Sequence, residues 1–126
     1  MPEPNAGPVE RFFIHLTARD WDAFETVLAP TVERVGPLGD LVVGRRRYVD
    51  HLRALVPPEY DNEVHRVTYA SDRRSAFARV TEHLVYPDRA FHLEELYAFE
   101  IADDGLVARV EVYWQTPDLD PGRGSG

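Results

Sequence analysis

The chain reads as an α+β domain: three N-terminal helices covering one face of a curved antiparallel sheet. Three observations predict this. Apolar residues recur at helical spacing through the first half and switch to period two in the second. Pro57-Pro58 punctuates the switch, because proline cannot continue a helix. Beyond it, turn strings separate long alternating runs, and short connections make successive strands antiparallel neighbours.

Residues 9–19 place Val9, Phe12, Phe13 and Leu16 on one helical face. Asp20 is positioned to cap a second helix, with Trp21, Phe24, Val27 and Leu28 in a stripe that Pro30 ends. Residues 31–35 are a short extended piece before the breaker string Gly36-Pro37-Leu38-Gly39. A third helix opens after Gly44, carries the apolar residues Tyr48, Val49, Leu52, Leu55 and Val56, and stops before Pro57. Four strands follow, at 63–70, 75–86, 89–102 and 106–116. Their turns are Ser71-Asp72-Arg73-Arg74, Tyr86-Pro87-Asp88-Arg89 and Asp103-Asp104-Gly105. The proline-rich 1–8 and the string at 117–126 read as tails of a single domain over 9–116.

Composition narrows the function. With 126 residues there is room for one core. The 22 acidic residues outnumber the 14 basic ones, giving a formal charge of −8, which argues against nucleic-acid and anionic-membrane partners. Every basic residue is arginine, so Schiff-base chemistry on lysine is excluded. The lack of cysteine excludes thiolate nucleophiles, disulfides and thiolate metal sites. The N-terminus lacks the apolar stretch of a signal peptide and no run is long enough to span a bilayer, so a cytoplasmic protein is expected.

Strand register assigns the faces. A two-residue turn at Pro87-Asp88 sets 82 opposite 93 and 80 opposite 95. A turn at Asp104-Gly105 sets 99 opposite 110, 97 opposite 112 and 95 opposite 114. The inner face then carries Val80, Glu82, Leu84, Leu93, Glu95, Tyr97, Phe99, Val110, Val112 and Trp114. Glu82 and Glu95 are the two acids on it. If Asp72-Arg73 is likewise a two-residue turn, 65 faces 80, and His65, Val67 and Tyr69 also point inward.

Three segments carry a family likeness. Leu16-Thr17-Ala18-Arg19-Asp20-Trp21-Asp22 breaks the first two helices; Val43-Gly44-Arg45-Arg46-Arg47-Tyr48-Val49 opens the third; Asp104-Gly105-Leu106-Val107 with Val112-Tyr113-Trp114 forms a closing hairpin. Their order resembles the nuclear transport factor two-like superfamily, and within it the SnoaL-like polyketide cyclase branch, over residues 9–116. The resemblance implies a cone with a deep apolar pocket and a homodimer through the outer sheet face. It does not imply one chemistry, since such a fold hosts isomerases, hydrolases, cyclases, dehydratases and plain binders. The isomerase branch's base on the short strand falls among Glu33, Arg34 and Val35, with Val35 in the best register, and its oxyanion-hole tyrosine falls at Phe12. The epoxide-hydrolase relay falls at Glu82, Val80 and Val112, so one carboxylate has a counterpart. For the cyclase branch's pocket aspartate, Glu82 or Glu95 would substitute.

Two carboxyls on an apolar face repel each other and lose solvation, which drives one of them to keep its proton. An acid and a base then share one pocket, as proton transfer at carbon requires. Glu82, Glu95 and His65 are the catalytic candidates, within walls of Phe12, Trp21, Glu33, Val35, Tyr97, Phe99, Val112 and Trp114. The plainer reading of these residues is that the aromatics are core and that an arginine, Arg45 or Arg66, neutralises the acids. His83 and His92 face each other on the outer face, where a metal site would be open and incomplete; no metal or cofactor is expected. The expected ligand is a small hydrophobic molecule. The protein is then a cofactor-independent cyclase, isomerase, dehydratase or epoxide hydrolase, or else a non-catalytic binding or scaffold protein.

Overall fold

In the computed structural model, which describes residues 6–115, the chain runs α1 (Pro8–Ala18), α2 (Trp21–Thr26), β1 (Leu28–Val35), β2 (Leu41–Val43), α3 (Arg45–Leu55), β3 (Glu59–Tyr69), β4 (Ser75–Tyr86), β5 (Arg89–Ile101) and β6 (Val107–Trp114). Of the expected tails, 117–126 and 1–5 lie outside the described residues, and Pro8 already belongs to α1. Pro8 suits the first helical turn, where its missing N–H would have had no partner. Arg19 closes α1 in the left-handed conformation (φ 54), returning its N–H toward the Leu16 carbonyl. Asp20 then caps α2, accepting from the Ala23 N–H at 3.2 Å.

The second helix is shorter than its apolar stripe predicts. It ends at Thr26, and Leu28, fully buried, opens β1. Pro30 lies inside that strand instead of stopping a helix. It is exposed and sits where the pairing of β1 with β6 is irregular, between Leu28 and Glu33, so its missing N–H breaks no regular ladder. The short strand β2, unexpected from the sequence, folds back on β1 and leads through Gly44 (φ 99) into α3.

The six strands run in the order β2-β1-β6-β5-β4-β3. The expected all-antiparallel sheet is mixed, because β1 and β6 are parallel. The physical reason is the long crossover through α3. It carries the chain to the far edge, and the β3–β6 meander returns β6 beside β1 in the same direction. Registers of β4, β5 and β6 are those the turns predict, with Glu82 opposite Leu93, Val80 opposite Glu95, and Glu95 opposite Trp114. The sheet curves, and the helices cover its concave side around Phe12, whose ring meets Phe13, Phe24 and Phe99 at centroid distances of 5.0, 4.9 and 5.1 Å. Among the described residues no helix is long and apolar enough to cross a membrane.

The β3–β4 ladder holds the main surprise. From Tyr69↔Ala76 to Arg66↔Arg79 the register is the one the turn predicts, but Val64 pairs with Val80. The one-residue slip is a β-bulge at His65. Every residue of β3 before it therefore changes face. His65 is exposed on the outer side, its Nε2 2.6 Å from Thr81 Oγ1, and it does not reach the pocket. Tyr60 and Asn62 turn inward in its place, opposite Leu84 and Glu82.

Candidate active site

A cavity of about 570 Å³ lies between the helices and the concave sheet, within the range of pockets that take a drug-sized molecule. α3 contributes Tyr48, Leu52 and Leu55, α1 contributes Phe12 and Leu16, and the sheet contributes Tyr60, Glu82, Leu84, Glu95, Tyr97, Val112 and Trp114. Leu55, Phe91 and His92 are exposed members of the lining and mark its mouth. There the Tyr86 hydroxyl donates to the Leu55 carbonyl at 2.8 Å, tying the β4–β5 hairpin to the end of α3.

The polar groups converge on one wall. Glu82 and Glu95 are both buried, diagonal neighbours across β4 and β5. Glu82 accepts at both oxygens: Oε2 from the Tyr60 hydroxyl, Oε1 from the Tyr97 hydroxyl at 3.2 Å. Asn62 Nδ2 donates to the Tyr60 oxygen at 3.1 Å, which orients the Tyr60 proton toward the carboxylate. Burial and the nearby Glu82 charge push both phenols up, so they remain donors. A carboxylate oxygen has two lone pairs, so Glu82 keeps acceptor capacity beyond the two phenols.

Glu95 is the opposite case. Its Oε1 is buried without a partner among the described residues. Burial, contact with Glu82 and the Glu82 charge push its pKa up, with Arg34 pulling weakly the other way. A proton on Glu95 converts an orphan acceptor into a donor, so the acid is neutral in the folded chain at pH 7. No arginine neutralises the pair by direct contact as far as the described residues go; Arg45 lies 3.7 Å from Glu25 instead.

The structure brings Glu82, Glu95, Phe12, Tyr97, Val112 and Trp114 of the expected set into one cavity. It leaves His65, Trp21, Glu33, Val35 and Phe99 outside it. His65 is displaced by the bulge. Trp21 packs edge-on to Phe24 on the far side of the helical layer, at a centroid distance of 6.0 Å. In β1 the inward residues are Val32 and Arg34, so Glu33 and Val35 turn away, and Glu33 meets Arg109 Nη1 at 2.5 Å on the outer side. Phe99 stacks behind Tyr97, fully in the core.

Sequence reasoning missed Tyr60 as a site residue. The signal was present: Tyr60, Asn62 and Val64 keep one parity while Val67 and Tyr69 keep the other. A change of phase between Val64 and Val67 is how a bulge appears in a sequence. Among the described residues no three His, Asp or Glu side chains cluster as a metal site requires.

The SnoaL-like domain family matches the chain over residues 9–110. No curated protein matches it. Among solved structures, a Kribbella flavida protein provisionally named a ketosteroid isomerase is 28% identical with a TM-score of 0.73, the match covering 94% of this chain and 83% of that one. An LEH-like epoxide hydrolase of Mycobacterium tuberculosis is 21% identical with a TM-score of 0.76, covering 94% and 88%. A second M. tuberculosis protein, solved with estradiol-17β-hemisuccinate, is 12% identical with a TM-score of 0.77, covering 86% and 92%. The last two are likenesses of fold.

Proposed function

The chain belongs to the SnoaL-like domain family, and from that premise we propose that it is a cofactor-independent enzyme catalysing proton transfer at a carbon beside the carbonyl of a small hydrophobic molecule. One observation carries this reading. Two carboxyls share the cavity wall, and one accepts two phenolic hydrogen bonds while the other is buried with one oxygen unpartnered, an environment that favours its neutral form. Base and acid are thereby distinguished before any ligand arrives.

The Glu82 carboxylate takes a proton from the carbon next to the carbonyl. The C–H electron pair becomes the carbon–carbon double bond of an enol. The carbonyl oxygen takes the Glu95 proton as its π pair becomes an O–H bond. Return of the Glu82 proton to the same or a conjugated carbon, and of the enol proton to Glu95, restores the enzyme. The apolar lining excludes water, which strengthens the Glu95 hydrogen bond at the oxygen. The isomerase and epoxide-hydrolase names of the similar structures, and the steroid ester bound by one of them, agree with this class of ligand.

The test is deuterium incorporation at C1 of 2-tetralone, an apolar bicyclic ketone, followed by proton NMR in D2O. The protein should accelerate exchange above buffer containing an equal concentration of free glutamate. Equal rates would remove the catalytic reading and leave a non-catalytic protein of the same family as the alternative.

A homodimer through the outer sheet face belongs to the same reading. Phe77, Leu96 and Tyr113 are 49%, 39% and 53% exposed there, and Leu96 pairs directly opposite Tyr113. Apolar groups this large on a flat sheet face favour a partner surface of the same kind. Light scattering should give twice the chain mass at micromolar concentration, and Leu96→Glu should halve it. A monomer mass for the unaltered chain refutes the dimer.

A further inference from the structure

Arg34 is a buried cationic group of the cavity that the proton-transfer reading leaves without a task. It is the inward residue that follows Val32 along β1, and its side chain is 91% buried (9% exposed). Burying a guanidinium costs several kcal/mol unless something holds it. Here the holding is partial. Nη1 meets Asp40 Oδ2 at 3.1 Å and lies 3.3 Å from His51 Nε2. Burial and the Arg34 charge push the His51 pKa down, so the imidazole is neutral and its Nε2 accepts. Asp40 is itself half exposed, which weakens its hold through solvent.

Both of those contacts run through Nη1, so neither occupies Nε or Nη2 of a fork that carries five N–H donors. The backbone makes room for the arrangement: a side chain at Gly36 would bring a carbon within 2.7 Å of Arg34 Nη1. The guanidinium also lies against the Tyr48 hydroxyl, and the residue lines the cavity. A chain with a formal charge of −8 does not draw anions by its overall field, so a cation fixed inside its cavity acts locally.

We infer that Arg34, braced by Asp40 and His51, anchors a carboxylate on the cavity's ligand, so that the substrate is an apolar carboxylic acid that presents its carbonyl to Glu82 and Glu95. Guanidinium matches a carboxylate with two parallel N–H···O bonds, which fixes orientation as well as position. The inference rests on the cavity being the ligand site and is independent of whether that ligand reacts.

The test is calorimetry at pH 8 with naphthalene-2-acetate and naphthalene-2-acetamide, which share shape and differ in charge. The acetate should bind about tenfold or more tightly than the amide. Arg34→Gln should bring the acetate down to the affinity of the amide and leave the amide unchanged, which also reports an intact fold. Asp40→Asn keeps an oxygen that accepts from Nη1 but removes the negative charge that competes with the ligand, so it should tighten the acetate several-fold, a readout that does not need the Arg34 variant to fold. Equal binding of the two compounds, a preference that survives Arg34→Gln, or no gain in Asp40→Asn would each overturn the anchor. An amide that binds without any acetate preference removes the anchor and keeps the cavity reading. Failure of both compounds to bind removes both.

Discussion

Glu95→Gln should leave stability almost unchanged at pH 5 and raise it at pH 8. The buried Glu95 carboxyl keeps its proton far above the pH at which the same group ionises in the unfolded chain, near 4.5. Between those limits the native state binds one proton more than the unfolded state, so stability falls as pH rises. The steepest slope for one group is about 1.4 kcal/mol per pH unit, and three units give a loss on the order of 2–4 kcal/mol. Below pH 4.5 both states are protonated and the penalty is absent. Glutamine keeps the shape, and its amide donates to Glu82 as the protonated acid does. It has nothing to ionise.

Other groups slope too. Glu94 and Glu111 have lowered pKa values from hydrogen bonds on the outer face, and His51 has a lowered one from burial, so these favour folding as pH rises. They are common to both proteins, and the difference between variant and parent isolates Glu95 and its coupling to Glu82. The measurement is urea unfolding of each protein from pH 4.5 to 9. A difference that stays flat across this range would show that Glu95 ionises as an ordinary surface acid, and the distinction between acid and base would be lost.

How much was legible without coordinates depended on whether turns or interruptions set the geometry. The β4–β5 hairpin has a turn whose residues dictate its loop length, Pro87-Asp88. β5–β6 turns through Asp103, Asp104 and Gly105 instead of the expected two residues, with Gly105 at a left-handed φ of 85, and a register shift between Glu100 and Ile101 restores the counted register. Counting outward from them placed Glu82 and Glu95 on one face as neighbours. β3 shows the limit of counting. Its turn also sets the register as predicted, yet a single inserted residue at His65 reverses everything upstream. What favours the bulge is local packing. Val64 then faces Val80, and Tyr60 with Asn62 reaches Glu82, whereas an unbulged strand would turn both polar groups out and His65 in.

Strand β1 departs from expectation for a related reason. Likeness to a family motif favours Val35 as its inward residue, whereas alternation from the buried Val32 governs the strand. The alternation makes Arg34 the inward residue. The parallel pairing of β1 with β6 follows from a crossover that spans α3 and is set by where a distant strand comes to rest. Local sequence signals such as caps, turns and period do not encode such a contact.

Glu82→Gln should cut the exchange of 2-tetralone by about 10² or more while leaving the fold intact. The size follows from the role: removing a positioned general base forfeits about 10²–10⁴ in rate, and the amide that replaces it has no lone pair basic enough to take a proton from carbon. The fold should survive because glutamine retains one carbonyl oxygen to accept from Tyr60 or Tyr97 and removes a buried negative charge. Tyr60→Phe is the companion. It removes one of two donors and leaves Glu82 in place, so the loss should be smaller, about tenfold. The two variants thus separate base from orienting group by the size of the loss. A Glu82→Gln protein that melts as the parent does and exchanges 2-tetralone at the parental rate would assign the proton transfer elsewhere, and Glu95 with Arg34 would remain as the groups that hold a ligand.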